Sequence, residues 1–349
     1  MHLSILVASH RHDLRACSRI AQACSWAGPQ IEVIVRDNSA DIKKRDLLSR
    51  FKRDNCTIVF VDPCGGLENI VETLRLATGD FVYFIADDDF CFDHTIAALP
   101  SIIDSIRGEP MIAGVTGSYV VEESQGSSFV NYSGIDSDDA MMRVTGYLKH
   151  QGANVLYYSP FRREILKHVF ATVGGMPFSF SFHDQIICLL SLLNGKFFRI
   201  QRPMYLYDNC AWERPDLAQR KDVDFYVAAG LDAAIHKLHW FLCAYEGAVL
   251  IHNSDLFPAY LLPQRQQIAD LWFSAMFGRF KHRPRLTFES QLSSEADKLC
   301  ARLLTMAGQI PFNGMLSEIC NFMALSSKPG AKAYFDFWDR LIEKRSAVA

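Results

Sequence analysis

Three consecutive carboxylates, Asp87-Asp88-Asp89, follow directly on an apolar, aromatic run at 81–85. Like charges held this close are unfavourable unless a cation or hydrogen-bond donors compensate them. An all-oxygen donor set suits Mg2+ or Mn2+, which keep some of their water and share phosphate oxygens with a substrate. The same residues would also build a solvated acidic loop or a helix cap. A second candidate, Asp37, follows the Ile/Val-rich run at 31–36. A carboxylate there accepts hydrogen bonds from a nucleotide base or ribose, or else forms an Asx turn. Ser9, His10 and Arg11 follow a third run, at 3–8, and offer two donors and a guanidinium fork suited to phosphate.

These residues can act together only if the chain brings the ends of their runs together. The uninterrupted apolar stretch at 3–8 fits a strand buried on both faces. Residues 13–26 predict a helix that starts near Asp13 and ends before Gly28-Pro29. Strands are expected at 31–36, 57–61 and 81–85, with helices at 40–54 (charged and solvated) and 68–78 between them. This alternation implies a mainly parallel sheet with helices on both faces, and ligands then bind outside the carboxyl ends of the strands. Further on, strands are expected at 111–122, 153–159 and 197–207, a loop or hairpin at 124–139, and helices at 162–173 and 184–193. From about 223 the pattern is helical, with segments near 223–250, 264–280, 291–307, 313–325 and 331–345. Residues 1–210 are therefore expected to form an α/β domain and 211–349 a helical one.

The motifs in combination resemble a known family. The run Leu3 to Arg11, then Ile34-Val35-Arg36-Asp37-Asn38-Ser39, then Glu68-Asn69 through Ala77-Thr78-Gly79-Asp80, then Tyr83 to Phe90, is similar to glycosyltransferases of the GT-A fold, a Rossmann-like architecture, and most to the family 2 type. The resemblance covers about residues 1–210. It implies transfer of a sugar from a nucleotide-sugar donor, UDP-linked by preference, to a hydroxyl acceptor with inversion. It implies Asp37 as the carboxylate that meets the base and Asn69 as a residue flanking the diphosphate. It implies Asp89 as ligand of an Mn2+ or Mg2+ ion, Asp87 as its partner or a ribose contact, and Asp88 facing the sugar or solvent, with Ser9 and Arg11 completing the donor site. Gly174-Gly175 followed by His183-Asp184 is similar to the Gly-Gly-Phe loop and Glu-Asp pair of the family, which makes Asp184 the proton acceptor. As an isolated feature, Asp184 before the apolar run at 186–193 is a helix cap. Gly175 and His183 would then lie toward the acceptor, and Trp212 offers a ring face to a sugar's apolar C–H face or a core contact. Ala86, Glu68 and the Ser9-His10 turn depart from the family pattern. So does the lack of a His near Tyr207-Asp208, where Asp208 is a substitute.

Other chemistries find little support. With 36 Lys and Arg against 39 Asp and Glu, the net charge of −3 recruits no nucleic acid. Gly65-Gly66 does not extend to a dinucleotide fingerprint, no phosphate-binding P-loop occurs, and no nucleophile elbow is present. His236 and His239 share a helix face but lack a third ligand. The ten cysteines form no CxxC pair and are expected as free thiols in a reducing cytoplasm. No secretory signal is expected at the N-terminus. The most apolar long segment, 233–253, is broken by charged residues and fails as a membrane span. Residues 271–285 are either a core helix with a basic loop or a peripheral contact with a membrane bearing a lipid-linked acceptor. A glycan or a protein acceptor, and a homodimer, fit equally well. Two other readings stand beside the transferase: a non-catalytic nucleotide-sugar-binding scaffold, and a sugar-phosphate nucleotidyltransferase.

Overall fold

The structure is a computed structural model of the 349-residue chain. It describes residues 2–150, 154–173, 183–210, 257–281 and 291–306, with scattered positions between 220 and 251 and at 318–322. The chain divides into two compact units, one comprising Met1–Gly174 and Ile187–Cys210, the other Gly175–Ile186 and Ala211–Ala349.

The first unit is built on a nine-stranded sheet. Strand β1 (Leu3–Ser9) is almost wholly buried, as its apolar run requires. It leads through helix α1 (Leu14–Ser25) to β2 (Ile31–Asp37), then through α2 (Ile42–Ser49) to β3 (Cys56–Phe60), and α3 (Gly66–Arg75) returns the chain to β4 (Phe81–Phe84). Asp13 caps α1 by accepting from Ala16 N at 2.8 Å, and Asp41 caps α2 by accepting from Lys44 N at 2.8 Å. Helix α2 is shorter than the 40–54 expected: Ala40 takes a left-handed backbone conformation, φ 56°, before its start, and the helix ends at Ser49 with Arg50 as its C-cap, ahead of an antiparallel bridge between Arg53 and Cys56.

The sheet order is β3-β2-β1-β4 and then β8-β6-β9-β5. Successive strands move outward from β1 to β3, and the chain then crosses to the other side of β1 to lay down β4. Right-handed crossovers put α1 and α2 on one face and α3 on the other. The reversal between β1 and β4 is a topological switch point, and the crevice at the carboxyl ends of these two strands is where such sheets receive ligands.

The rest of the unit completes the sheet. Two-residue β5 (Phe90–Cys91) is followed by α4 (Asp93–Ile106), then β6 (Ile112–Glu123), β7 (Gly126–Val130), α5 (Ala140–Lys149), β8 (Pro160–Arg162), α6 (Arg163–Val173), α7 (His183–Asn194), which runs across the division between the units, and β9 (Lys196–Asp208). Strands β1 to β4 are parallel, β6 and β9 run the same way, and β5, β7 and β8 run against them. The sheet is thus mainly parallel. The expected hairpin is the β6–β7 pair. The expected strand at 153–159 is corrected: Val155–Tyr157 is a 3-10 turn and the strand begins at Pro160. All three turn residues are buried, and a short apolar run reads alike in turn and strand. Helices α4 and α5 were not anticipated. Pro100 inside α4 masks a pattern whose buried positions, Ile96, Leu99, Pro100 and Ile103, keep helical spacing.

In the second unit, α8 (Arg265–Lys281) and α9 (Gln291–Met306) match the expected segments at 264–280 and 291–307. Trp272 and Met276 of α8 are fully buried, and the Trp272 indole N–H donates to Ala244 O at 3.0 Å. These two residues belong to the core, as the core-helix alternative requires. The segments expected at 313–325 and 331–345, and the His236/His239 pair, lie largely or wholly outside the described residues. Cys17, Cys24, Cys56, Cys64 and Cys91 are free thiols. No helix among the described residues is long and apolar enough to cross a membrane.

Candidate functional site

The carboxyl ends of β1, β2 and β4 converge on one buried polar group. Strand β1 runs on to Ser9 whereas β4 stops at Phe84, so the chain after Phe84 leaves the sheet and Asp87 returns to meet Ser9. The Ser9 hydroxyl donates to Asp87 Oδ2. Asp37, the last residue of β2, is 2% exposed. Its Oδ1 lies 2.5 Å from Lys44 Nζ, and its Oδ2 accepts from Ser39 Oγ at 2.9 Å. Lys44 Nζ also donates to Ser9 Oγ at 2.6 Å and to Arg11 O. One ammonium therefore ties together the ends of β1 and β2, and Ser9 passes the link on to the loop after β4.

Lys44 is the member of this buried group that the charge pattern concealed. Helix α2 carries four charged residues within Ile42–Ser49 and was expected to be solvated throughout. Yet Lys44 and Leu48 are four apart, hence on one face, and both are buried against the sheet. The spacing from Leu48 is the signal that could have found it.

Arg11 stands at the open side, its side chain 38% exposed. Its Nε is 3.3 Å from Asp87 Oδ1 and its Nη2 is 2.5 Å from Asp88 Oδ2. Burial lifts Asp88 above the usual carboxylate range in spite of this neighbour. Asp89 points the other way. Strand β5 pairs with Leu206 and Tyr205 of β9, which brings Asp89 against that strand. The Tyr205 hydroxyl donates to its Oδ2 and Asp208 N–H to its Oδ1, both at 3.0 Å. Asp89 is 3% exposed, and no basic side chain among the described residues pairs with it. Burial, with the charge of Asp88 second, pushes its carboxyl up to about 7. Asp208 pairs through Oδ2 with Arg15 Nη1 at 2.8 Å, and against the cost of burial this guanidinium and the Cys210 N–H hold Asp208 below the usual range. Tyr158 stacks on Tyr205, with ring centroids 4.2 Å apart and planes at 6°.

A divalent ion was expected here, and the donor chemistry at Asp89 fits one. The carboxylate is a hard oxygen donor, it is buried, and its charge is unneutralised. Among the described residues no three or more His, Cys, Asp or Glu side chains are gathered as a protein-only cage.

The other expected residues lie apart from this group or in the second unit. Asn69 is buried, but its Oδ1 accepts from Arg36 Nη1 at 2.5 Å and its Nδ2 donates to Arg36 O at 3.3 Å. It braces the end of β2 and makes no bond to Ser9, Asp37 or the three aspartates. His183 and Asp184 form the first turn of α7 and belong to the second unit, where the negative charge of Asp184 suits the helix N-terminus. Gly175 and Trp212 lie outside the described residues.

No known family model matches the chain. No curated protein matches it either. Among solved structures, the chain is similar to Staphylococcus aureus TarS 1-349, at 13% identity over 80% of this chain and 90% of that one, with a TM-score of 0.45. The same TarS fragment in complex with UDP-GlcNAc gives 13% identity over 85% and 88%, with a TM-score of 0.40. The mannosyltransferase PcManGT from Pyrobaculum calidifontis, in complex with GDP-Man and Mn2+, gives 13% identity over 98% and 85%, with a TM-score of 0.43. Likeness at this level carries no argument about substrate or mechanism.

Proposed function

We propose that the chain is a glycosyltransferase that takes a sugar from a nucleotide-sugar donor, UDP-linked by preference, and passes it to a hydroxyl acceptor with inversion. The observation that carries this reading is the gathering of Ser9, Asp37 and Asp87 at the strand ends flanking the switch point, with Arg11 at its open edge. A buried carboxylate fixed at one strand end suits a base or ribose, and an exposed guanidinium nearby suits a diphosphate.

Asp37 accepts from the base, Ser9 orients Asp87, and Arg11 moves from the aspartates to the diphosphate oxygens when the donor enters. Asn69 supports the site through Arg36. Asp89, with Asp87 and Asp88 beside it, would hold Mn2+ or Mg2+, which when bound supplies positive charge to the departing diphosphate. Asp184 takes the proton of the acceptor hydroxyl as its oxygen bonds to the anomeric carbon and the bond from that carbon to the diphosphate breaks. On this reading Gly175, His183 and Trp212 serve the acceptor. A lipid-linked oligosaccharide, a glycan or a protein satisfies this chemistry equally.

A donor-hydrolysis assay over UDP- and GDP-sugars with Mn2+ tests the reading. Asp184→Asn is expected to lower turnover about 100-fold or more while donor affinity changes by less than about threefold. Unchanged turnover removes Asp184 as base. Donor binding with no turnover in the wild type favours the scaffold alternative, and no donor binding removes the reading altogether.

A further inference from the structure

Lys44 has no part in the chemistry just described, yet it is the most completely engaged charge at the site. Its side chain is 1% exposed, and its three N–H donors match three acceptors: Asp37 Oδ1, Ser9 Oγ and Arg11 O. These acceptors sit on two different strand ends and on the residue that carries the exposed guanidinium. With Ser39 on its Oδ2, Asp37 is held from both sides and keeps one orientation. A carboxylate has about four lone-pair positions. Two are left over on Asp37, and on the nucleotide-sugar reading they are the ones that meet the base.

We infer that Lys44 is the positioning residue for nucleobase selection: it fixes the direction in which Asp37 presents its remaining lone pairs, and so decides which base N–H pattern the pocket accepts. This rests on the nucleotide-sugar reading above. A fixed acceptor discriminates between bases that carry an N–H at the matching point and bases that carry a lone pair there, whereas a carboxylate free to rotate meets either through a different geometry. Lys44 pairs directly with the Asp37 carboxylate, and Arg11 meets it only through a backbone carbonyl. Removal of the ammonium should therefore alter base preference more than diphosphate affinity.

The test is calorimetric titration of the full chain with UDP, GDP, CDP and ADP, and with inorganic pyrophosphate as a base-free probe, all with Mn2+. Wild type is expected to prefer one nucleoside diphosphate by about tenfold or more. Lys44→Met should bring the four within about threefold of one another and leave pyrophosphate affinity within about threefold of wild type. A variant that is merely less well folded would lose both. Because breaking a buried pair leaves one charge unpaired, Lys44→Met can fail to fold, and a double-mutant comparison then decides. Asp37→Asn and the double variant Lys44→Met/Asp37→Asn should show the same affinities across the panel, since Lys44 acts through Asp37. Wild-type preference retained in Lys44→Met overturns the inference. So does a double variant that loses pyrophosphate affinity relative to Asp37→Asn, or a wild type that binds all four nucleotides alike. A wild type that binds none of them overturns the nucleotide-sugar reading itself.

Discussion

Asp89 pays for its position in the absence of a cation. An unfolded aspartate titrates near 3.9, whereas burial and the neighbouring Asp88 bring Asp89 to about 7 in the folded chain. Below both values the residue is protonated in either state and stability is unaffected. Between them the folded chain alone holds the proton, so stability falls as pH rises, at a rate of about 1.4 kcal/mol per pH unit. Above 7 the full penalty stands. In metal-free protein, thermal unfolding of Asp89→Asn against wild type should show little difference near pH 4. It should show a growing advantage for the variant up to about pH 7. A difference independent of pH would mean that Asp89 is not buried as a lone charge. The three aspartates were legible because consecutive carboxylates after an apolar run are conspicuous. Lys44 was not, because a lysine among other charges reads as solvated unless its spacing from Leu48 is weighed. The diphosphate role implied for Asn69 rested on position alone, which could not reveal that Arg36 takes its side chain.

Elements place these residues through close backbone packing. At Gly114, β6 lies between β8 and β9, opposite Phe161 and Phe197. A Cβ there would come within 2.6 Å of the Phe197 ring and 2.7 Å of Pro160 O. Gly114→Ala should therefore destabilise the chain by about 1–3 kcal/mol, measured by urea unfolding. A neutral result would mean that the β8–β6–β9 crossing is looser than this. The parallel β1–β4 core was readable from the sequence, since β1, β2 and β4 are largely buried apolar runs and each helix has a cap or a breaker at its end. The antiparallel additions were harder to read. Strand β8 has three residues and β5 two, and neither is long enough to show a period. Yet β5 decides that Asp89 meets Tyr205 and Asp208 rather than Arg11.

At the scale of the molecule, the switch point follows from strand order, which no local pattern encodes. The crossover from β3 to β4 on the far side of β1 opens the crevice, and Ser9, Asp37 and Asp87 meet there because their strands end at the same rim. The acidic triad and the alternation of elements imply such a rim from the sequence. The sharing of Asp184 and the helical segments by the second unit depends on long-range packing and could not be read from spacing. The central claim is that this rim binds a nucleotide-sugar. Thermal shift of the full chain with UDP- and GDP-sugars, with and without Mn2+, measures it directly. A ligand that binds only the native state adds about 2.7 kcal/mol at a hundredfold excess over its Kd. The account predicts a concentration-dependent rise in Tm with at least one of these donors, strengthened by Mn2+ and diminished in Asp87→Asn. No rise with any of them, with or without metal, would contradict it.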